Sequence, residues 1–380
     1  MTRWSITALT ARRTVAMAML ATAMALAGCG GSADSSKTEA STTAGSTTEA
    51  SATTELVKPY DGFEKEYPDS FPTPSKAEGK QFTIGCQNPV GTGNETTTTF
   101  CKGVEAQAKA LGMGYIGLVD GLDIDKQVTN FNQLLAQNVD AIVLYPLAPD
   151  ALRASLNKAK SQNVPVVGFD VTFTKDADAP GYLAQVWQGR DHQAYESVAY
   201  MAKLAPNGKV GLIGIGAPVP ALKYLIERQR FWAEQLGLEV VGEQDNTSDD
   251  VAGGSKAMTG LLGRFGDIDG VIGYNDESAV GAYTAARGQG REDVKIIAIN
   301  GSDLGLTALR AGRISAVVQV DAANQGAQAA VAAYNQLTKQ SLPLPNVVLR
   351  SPQLITKDNL GSVASWKDQL AAIESGSSAG

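Results

Sequence analysis

The sequence predicts an α/β protein with parallel strands, enough of them for two sheets. Three observations carry that prediction. Apolar, β-rich runs recur beyond residue 80, helix-length amphipathic segments separate them, and about 300 residues follow, more than one core usually serves. Continuous apolar strands joined by crossover helices are the pattern of parallel sheets covered on both faces. Two domains or lobes are therefore expected.

In chain order, Phe82–Cys86 reads as the first strand and Thr97–Leu111 as the first helix. Val128, Phe131, Leu134 and Leu135 recur at three and four residues, the stripe of an amphipathic helix. Ala141–Tyr145 is a strand, Asp150–Gln162 a helix and Val164–Phe169 a strand. A helix is expected from Gln193, leaving His192 in a solvated loop. Strands then fit Val210–Ile215, Leu238–Val241, Gly270–Tyr274, Val294–Ile299 and Ser315–Val320. Helices fit Pro220–Leu236, Val251–Phe265, Glu277–Arg287 and Ala322–Leu337.

The first 80 residues have a different character. Arg3, Arg12 and Arg13 precede an apolar run from Val15 to Ala27 that is too short to span a bilayer, so residues 1–28 read as a secretory signal peptide. Leu26-Ala27-Gly28-Cys29 resembles the lipobox of bacterial lipoproteins, in which the thiol is acylated and becomes the mature N-terminus. An ordinary signal with a chance cysteine is the alternative. Residues 29–58, the lipidated Cys29 and a Gly/Ser/Thr/Ala/Glu/Lys stretch, are expected to be a disordered linker. Residues 59–80 carry Tyr60, Phe63, Tyr67 and Phe71 and read as an extended pre-domain segment, part of which can pack on the domain. Residues 374–380 are a tail. The expected location is extracytoplasmic, lipid-anchored to the cell membrane at the cell surface or in the periplasm.

Composition removes several functions. The net charge is −7 and no basic cluster with interleaved aromatics occurs, so no nucleic-acid partner is expected. The single histidine cannot build a two- or three-histidine metal site, and no metal or other cofactor is expected. Gly211, Gly214 and Gly216 lack dinucleotide-loop spacing, and Gly253-Gly254-Ser255-Lys256 lacks the outer glycine of a P-loop. Cys86 would end the first strand and Cys101 lie in the first turns of the next helix, where a disulfide or two buried thiols would fit equally.

Ligands of open parallel sheets bind beyond the carboxyl ends of the strands. The polar residues there are Gln87, Asn88 and Asn94, then Asp170, Asn275-Asp276, Asn300, Gln319 and Asp321. Each has helix capping as an alternative role. Amides and acids with no nucleophile–base pair favour binding over catalysis, and no enzyme activity is expected.

The chain resembles the type I periplasmic solute-binding proteins, the ribose- and galactose-binding group that shares its fold with LacI-type sugar-sensing domains. The resemblance rests on Lys126-Gln127, Asn138 to Val143 with Pro146, Val164 to Asp170, Tyr274-Asn275-Asp276 with Ala279 and Gly281, and Ile299-Asn300-Gly301. It implies two doubly wound parallel-sheet lobes joined by a three-crossing hinge. Crossings are expected near Leu183–Val186, Gln319–Asp321 and Val347–Ser351. The N-terminal lobe would comprise 81–184 plus 320–348, the C-terminal lobe 185–319 plus 349–373.

The resemblance further implies a monomeric receptor of an ABC importer that closes on a small polar ligand (a sugar, polyol or amino sugar) and is read by the permease transmembrane subunits. The same fold could instead present ligand to a sensor kinase or chemoreceptor. By position, Asp170 would accept from ligand hydroxyls, Arg228 would donate from the second lobe, and Asn94 and Asn275 would add amides. Gln319 lies near the hinge glutamine of the family, with Val320 and Asp321 as neighbouring registers. Asn300 stands where the family usually has aspartate, Thr96-Thr97 replace its stacking aromatic pair, and Asp249 falls on a third aromatic. Trp187 offers either a replacement face or packing. Asp170→Ala is expected to abolish binding and leave the fold intact.

Overall fold

A computed structural model describes residues 58–75, 81–173, 175, 178–342 and 346–376. The leader, Cys29 and all of the expected linker but Lys58 lie outside the described residues. After a 3₁₀ turn at Phe63–Glu66 the chain alternates β1 (Thr83–Asn88), α1 (Glu95–Ala110), β2 (Gly114–Val119), α2 (Ile124–Ala136) and β3 (Ala141–Leu144). It continues through α3 (Arg153–Ser161), β4 (Val166–Phe169), β5 (Ala184–Trp187), α4 (Arg190–Leu204), β6 (Lys209–Ile215), α5 (Pro220–Gln235) and β7 (Glu239–Asn246). Then come α6 (Val251–Arg264), β8 (Gly270–Gly273), α7 (Asp276–Gly288), β9 (Lys295–Asn300), α8 (Asp303–Arg310) and β10 (Ala316–Gln319). The chain closes with α9 (Ala322–Leu337), β11 (Val347–Leu349), β12 (Gln353–Ile355) and α10 (Trp366–Glu374).

These strands form two six-stranded sheets, ordered β11-β5-β4-β3-β1-β2 and β12-β10-β9-β8-β6-β7. All pairings are parallel except β10 with β12. The central strands β3, β4, β8 and β10 are buried at every residue, as strands covered by helices on both faces must be. In each sheet the order reverses, at β1 in the first and β6 in the second, so each lobe has a switch-point crevice at its strand ends. β2 escaped the sequence pattern because it is a half-exposed edge strand interrupted by Gly117.

Small residues let helices cross closely. A Cβ on Gly103 of α1 would lie 2.0 Å from the Ala323 carbonyl oxygen of α9, and one on Gly326 would lie 2.1 Å from that of Phe100. Beside this contact Cys86 and Cys101 are joined as a disulfide between β1 and α1, with Cα atoms 6.1 Å apart.

Two expected boundaries change. β5 pairs with β4 and β11, so residues 185–187 belong to the first sheet and the chain leaves it at Gln188–Gly189 rather than at Leu183–Val186. Later passages fall at Val320–Asp321, between β10 and α9, and at Arg350–Pro352, between β11 and β12. The stretch 349–373, expected wholly in the second lobe, gives it β12 and the turn after it, whose Leu360 and Val363 pack on the second-lobe core. α10 returns to the first lobe, burying Ile373 against Ala106, Ala323 and Ala327, while Trp366 packs on Val320 and Ala322. The apolar stripe of α10 fits the groove between α1 and α9, which fixes the choice. Residues 59–75 are also docked, with Tyr60 and Phe71 buried.

Candidate ligand-binding cleft

The carboxyl ends of both sheets face one another across a cavity of about 60 Å³. The first lobe and its first exit supply Val90, Asn94, Thr96, Thr97, Tyr145, Leu147, Gln188 and Arg190 to its walls. The second supplies Ile215, Val219, Leu222, Asp249, Tyr274 and Asn300. The strand ends and the loops after β1, β3, β5, β6, β7 and β8, with the first turns of α1, α4 and α5, build it, as the switch-point geometry requires.

Two aspartates organise the site. Asp170 follows β4 with φ +41°, a left-handed backbone that aspartate tolerates better than most residues. Its carboxylate accepts from the Gln188 amide and from Arg190 Nε, each at 2.8 Å. Arg190, at the start of α4, also donates to Gln193 Oε1 at 3.0 Å and to the Tyr145 hydroxyl at 3.3 Å. Both members of the pair are buried. Burial raises the Asp170 carboxyl above its usual range, against the pull of Arg190 and the Gln188 amide. Burial works against the Arg190 charge too, but Tyr145 and Asp170 outweigh it and hold the guanidinium protonated.

Asp249 follows β7 with φ +54°. It accepts from Asn94 Nδ2 at 3.0 Å across the cleft, from Asn275 Nδ2 at 2.8 Å and from the Tyr274 hydroxyl. Burial raises its carboxyl above the ordinary range, and those three neutral donors only partly offset it. Among the described residues no cation hydrogen-bonds to it.

The sequence-derived residues separate into groups. Asn94 both caps α1, through Thr97 N, and bridges the lobes to Asp249. Asn275 caps α7 through Ser278 N and holds Asp249, but it does not line the cavity. Asn300 lines it at the end of β9. Thr96 and Thr97 form part of the wall, as does Asp249. Gln87 instead bonds to Asp120 inside the first lobe.

Three expectations move, for Arg228, Gln319 and His192, and the alternative left open for Trp187 is decided. Arg228 does not reach the cleft: it sits on α5 about 9 Å along the helix from Leu222, bonded to Asp191 and stacked 4.0 Å over Phe231. Gln319 donates to the Gly301 carbonyl and faces a different cavity behind the hinge, of about 320 Å³, with Asp321 and Arg350. Trp187 is packing: it is buried against Tyr67 and Phe63 and bonds to Gln185. His192, expected in a solvated loop, lies inside α4 and stacks on Tyr60 at 4.3 Å.

Arg190 is the residue the sequence reading missed. It follows Gly189, whose φ of +71° turns the chain into α4, and a glycine immediately before a helical stripe was the available signal.

The sequence profile of the periplasmic binding protein domain matches residues 88–341. A ribose import binding protein of Bacillus subtilis is 30% identical over 257 residues, 66% of this chain and 80% of the relative. A xylitol-binding protein of Mycolicibacterium smegmatis is 26% identical over 226 residues, 56% of this chain and 60% of the relative. Among solved structures, an ABC transporter solute-binding protein of Bacillus halodurans with bound myo-inositol superposes with a TM-score of 0.67 at 22% identity, covering 76% of this chain and 98% of that one.

Proposed function

The chain belongs to the periplasmic binding protein family, and from that premise we propose that it is the solute receptor of an ABC importer, closing its lobes on a small polyhydroxylated ligand. The observation that carries the reading is a cavity lined by both lobes, with the buried carboxylate of Asp249 at one wall and Arg190 at the other, held from behind by the buried Asp170, which does not itself line the cavity. Carboxylate, guanidinium and amide groups suit hydroxyls, which donate and accept at once. Contacts made to both lobes exist only when the lobes are closed, so binding shifts the population toward that form.

The ligand class follows from the walls. Val90, Leu147, Val219 and Leu222 make much of the lining aliphatic, and its two aromatics, Tyr145 and Tyr274, are tied through their hydroxyls to Arg190 and Asp249. A pentose, a furanose or an open-chain polyol, with no broad flat face to stack, fits that lining best. The xylitol- and ribose-binding relatives support this class. Anchoring through an acylated Cys29 and delivery to a permease complete the proposal; Cys29→Ala is expected to release the protein from the membrane fraction.

The test is a thermal-shift and calorimetric titration of the mature chain with D-ribose, L-arabinose, xylitol and myo-inositol. A true ligand at a thousand times its dissociation constant stabilises by about 4 kcal/mol. A saturable shift that disappears in Arg190→Ala would support the assignment. No shift with any of the four, alongside one with a small ammonium compound, would replace the hydroxyl reading with a cation-binding cleft centred on Asp249.

A further inference from the structure

α4 begins without a side-chain cap of its own. Its N-cap residue is Gly189, which has no side chain to accept from the first-turn amides. The acceptor comes from far away in the chain. Glu64, buried at 3% exposure, accepts from the Asp191 amide at 3.1 Å and from the His192 amide at 2.9 Å. Its Oε2 would stand 3.5 Å from a Cβ built on Gly189, so the carboxylate covers the turn as well as the helix end.

That turn carries Arg190, the guanidinium held against Asp170 and Tyr145 at the cleft. The segment that brings Glu64 there is anchored at both ends. On one side Tyr60 donates to Asp191 Oδ2 at 2.9 Å and stacks on His192, both on α4. On the other, Pro68 accepts from the Leu349 amide of β11, the Phe71 amide donates to Gln328 of α9, and Pro72 accepts from Asn335. Residues 60–72 therefore run as a strap from the first lobe to the start of α4, over the place where the chain changes lobes. The strap lies outside the stretch that matches the family profile, residues 88–341.

We propose that Glu64 is a positioning residue for ligand binding: by capping α4 from outside the binding domain it fixes the turn that holds Arg190 in the cleft. The proposal rests on the cleft being the ligand site, but its test does not need the ligand. An uncapped first turn frays, and fraying at Asp191 and His192 loosens the adjacent Arg190.

The measurement is solvent exchange of the Arg190 Nε–H in the 15N-labelled mature chain, its resonance identified by its loss in Arg190→Lys. In Glu64→Ala, exchange of that proton and of the Asp191 and His192 amides should accelerate about tenfold, the usual effect of losing a cap. Glu64→Gln keeps one acceptor oxygen for the two amides and should recover part of the protection. Phe71→Ala loosens the strap at its far end and serves as the control, with thermal stability measured for each variant. Unchanged Arg190 exchange in Glu64→Ala would overturn the proposal. So would equal acceleration in Phe71→Ala at the same loss of stability, since Glu64 would then be acting only through general stability. If the alanine variant fails to fold, Glu64→Asp, one methylene too short to reach both amides, takes its place with the same criteria. Titration with D-ribose and xylitol adds a second arm: affinity should fall about tenfold in Glu64→Ala and return in part in Glu64→Gln. If the wild type binds neither compound, the ligand class is wrong, while the exchange result still decides the role of Glu64.

Discussion

The two buried aspartates at the cleft come from different strand positions, Asp170 after the inner β4 and Asp249 after the edge strand β7, and live in opposite electrostatic settings. Asp170 and Asp249 each follow a strand, each adopt positive φ and each have their carboxyl raised by burial. Asp170 is paired with Arg190, so its site is close to neutral. Asp249 is held by Asn94, Tyr274 and Asn275, and its charge stays uncompensated by any cation in contact among the described residues. The first lobe therefore presents a fixed ion pair, and the second presents a buried negative charge that an incoming donor can share. A hydroxyl-rich ligand gains most at Asp249 and is oriented by the Arg190 pair.

The largest effect expected from breaking this contrast is at Asp170. Asp170→Ala leaves a buried guanidinium without its partner, which costs about 3–5 kcal/mol, measured by urea unfolding of the ligand-free protein. The variant should thus lose binding and much of its stability together, and the sequence-based expectation of an intact fold is revised. A stability within error of wild type would show that Arg190 relocates and that the pair is not fixed.

Next in size is the pH response, which should belong to the second lobe. Burial pushes Asp276 up to about 7, and burial with the Asp276 charge pushes Glu277 up to about 8. Both are raised, so the folded chain binds these protons more tightly than the unfolded chain. Their stabilisation is fully present below the ordinary carboxylate range and is lost as pH rises through about 7 and 8. Moving from about pH 8 to about pH 6 should stabilise the protein by about 4 kcal/mol, and Glu277→Gln should flatten that slope. A slope unchanged in Glu277→Gln would move the response elsewhere, with Glu64, raised by burial to about 7, the next group to test.

Smaller still is Tyr274→Phe, which removes one donor from Asp249 and should cost about 1 kcal/mol. If affinity for a bound polyol rises in this variant, the carboxylate has been freed to meet the ligand; if it falls, Tyr274 is itself a ligand contact. Arg228→Ala should alter binding least, because Arg228 is outside the cavity lining, but it removes the cationic partner of the buried Asp191 and should cost about 1–3 kcal/mol of stability.

The difference between Arg228 and Arg190 also shows where sequence reading succeeds. Asn94, Asp170 and Asn300 were legible because each stands at the carboxyl end of a strand that the apolar pattern marks, and a parallel sheet points those ends at its crevice. Arg228 was chosen by family position, but helical rise carries it past the cleft. Arg190 had no such mark. It is one residue beyond a left-handed glycine at a lobe crossing, and only the pairing of β5 with β4 tells where that crossing falls.

Sequence alone determined the α/β class, the alternation of strands and helices across 81–337, and the carboxyl-end loops as the place to look, because periodicity and burial are local consequences of residue order. Tertiary structure decided the rest. It set which lobe receives α10, which arginine meets Asp170, and that Glu64 caps a helix that begins at Arg190. Each of these is a contact between groups distant in the chain, chosen by the shape of a groove or by a donor left without an acceptor. Neither is written in the pattern of any single segment.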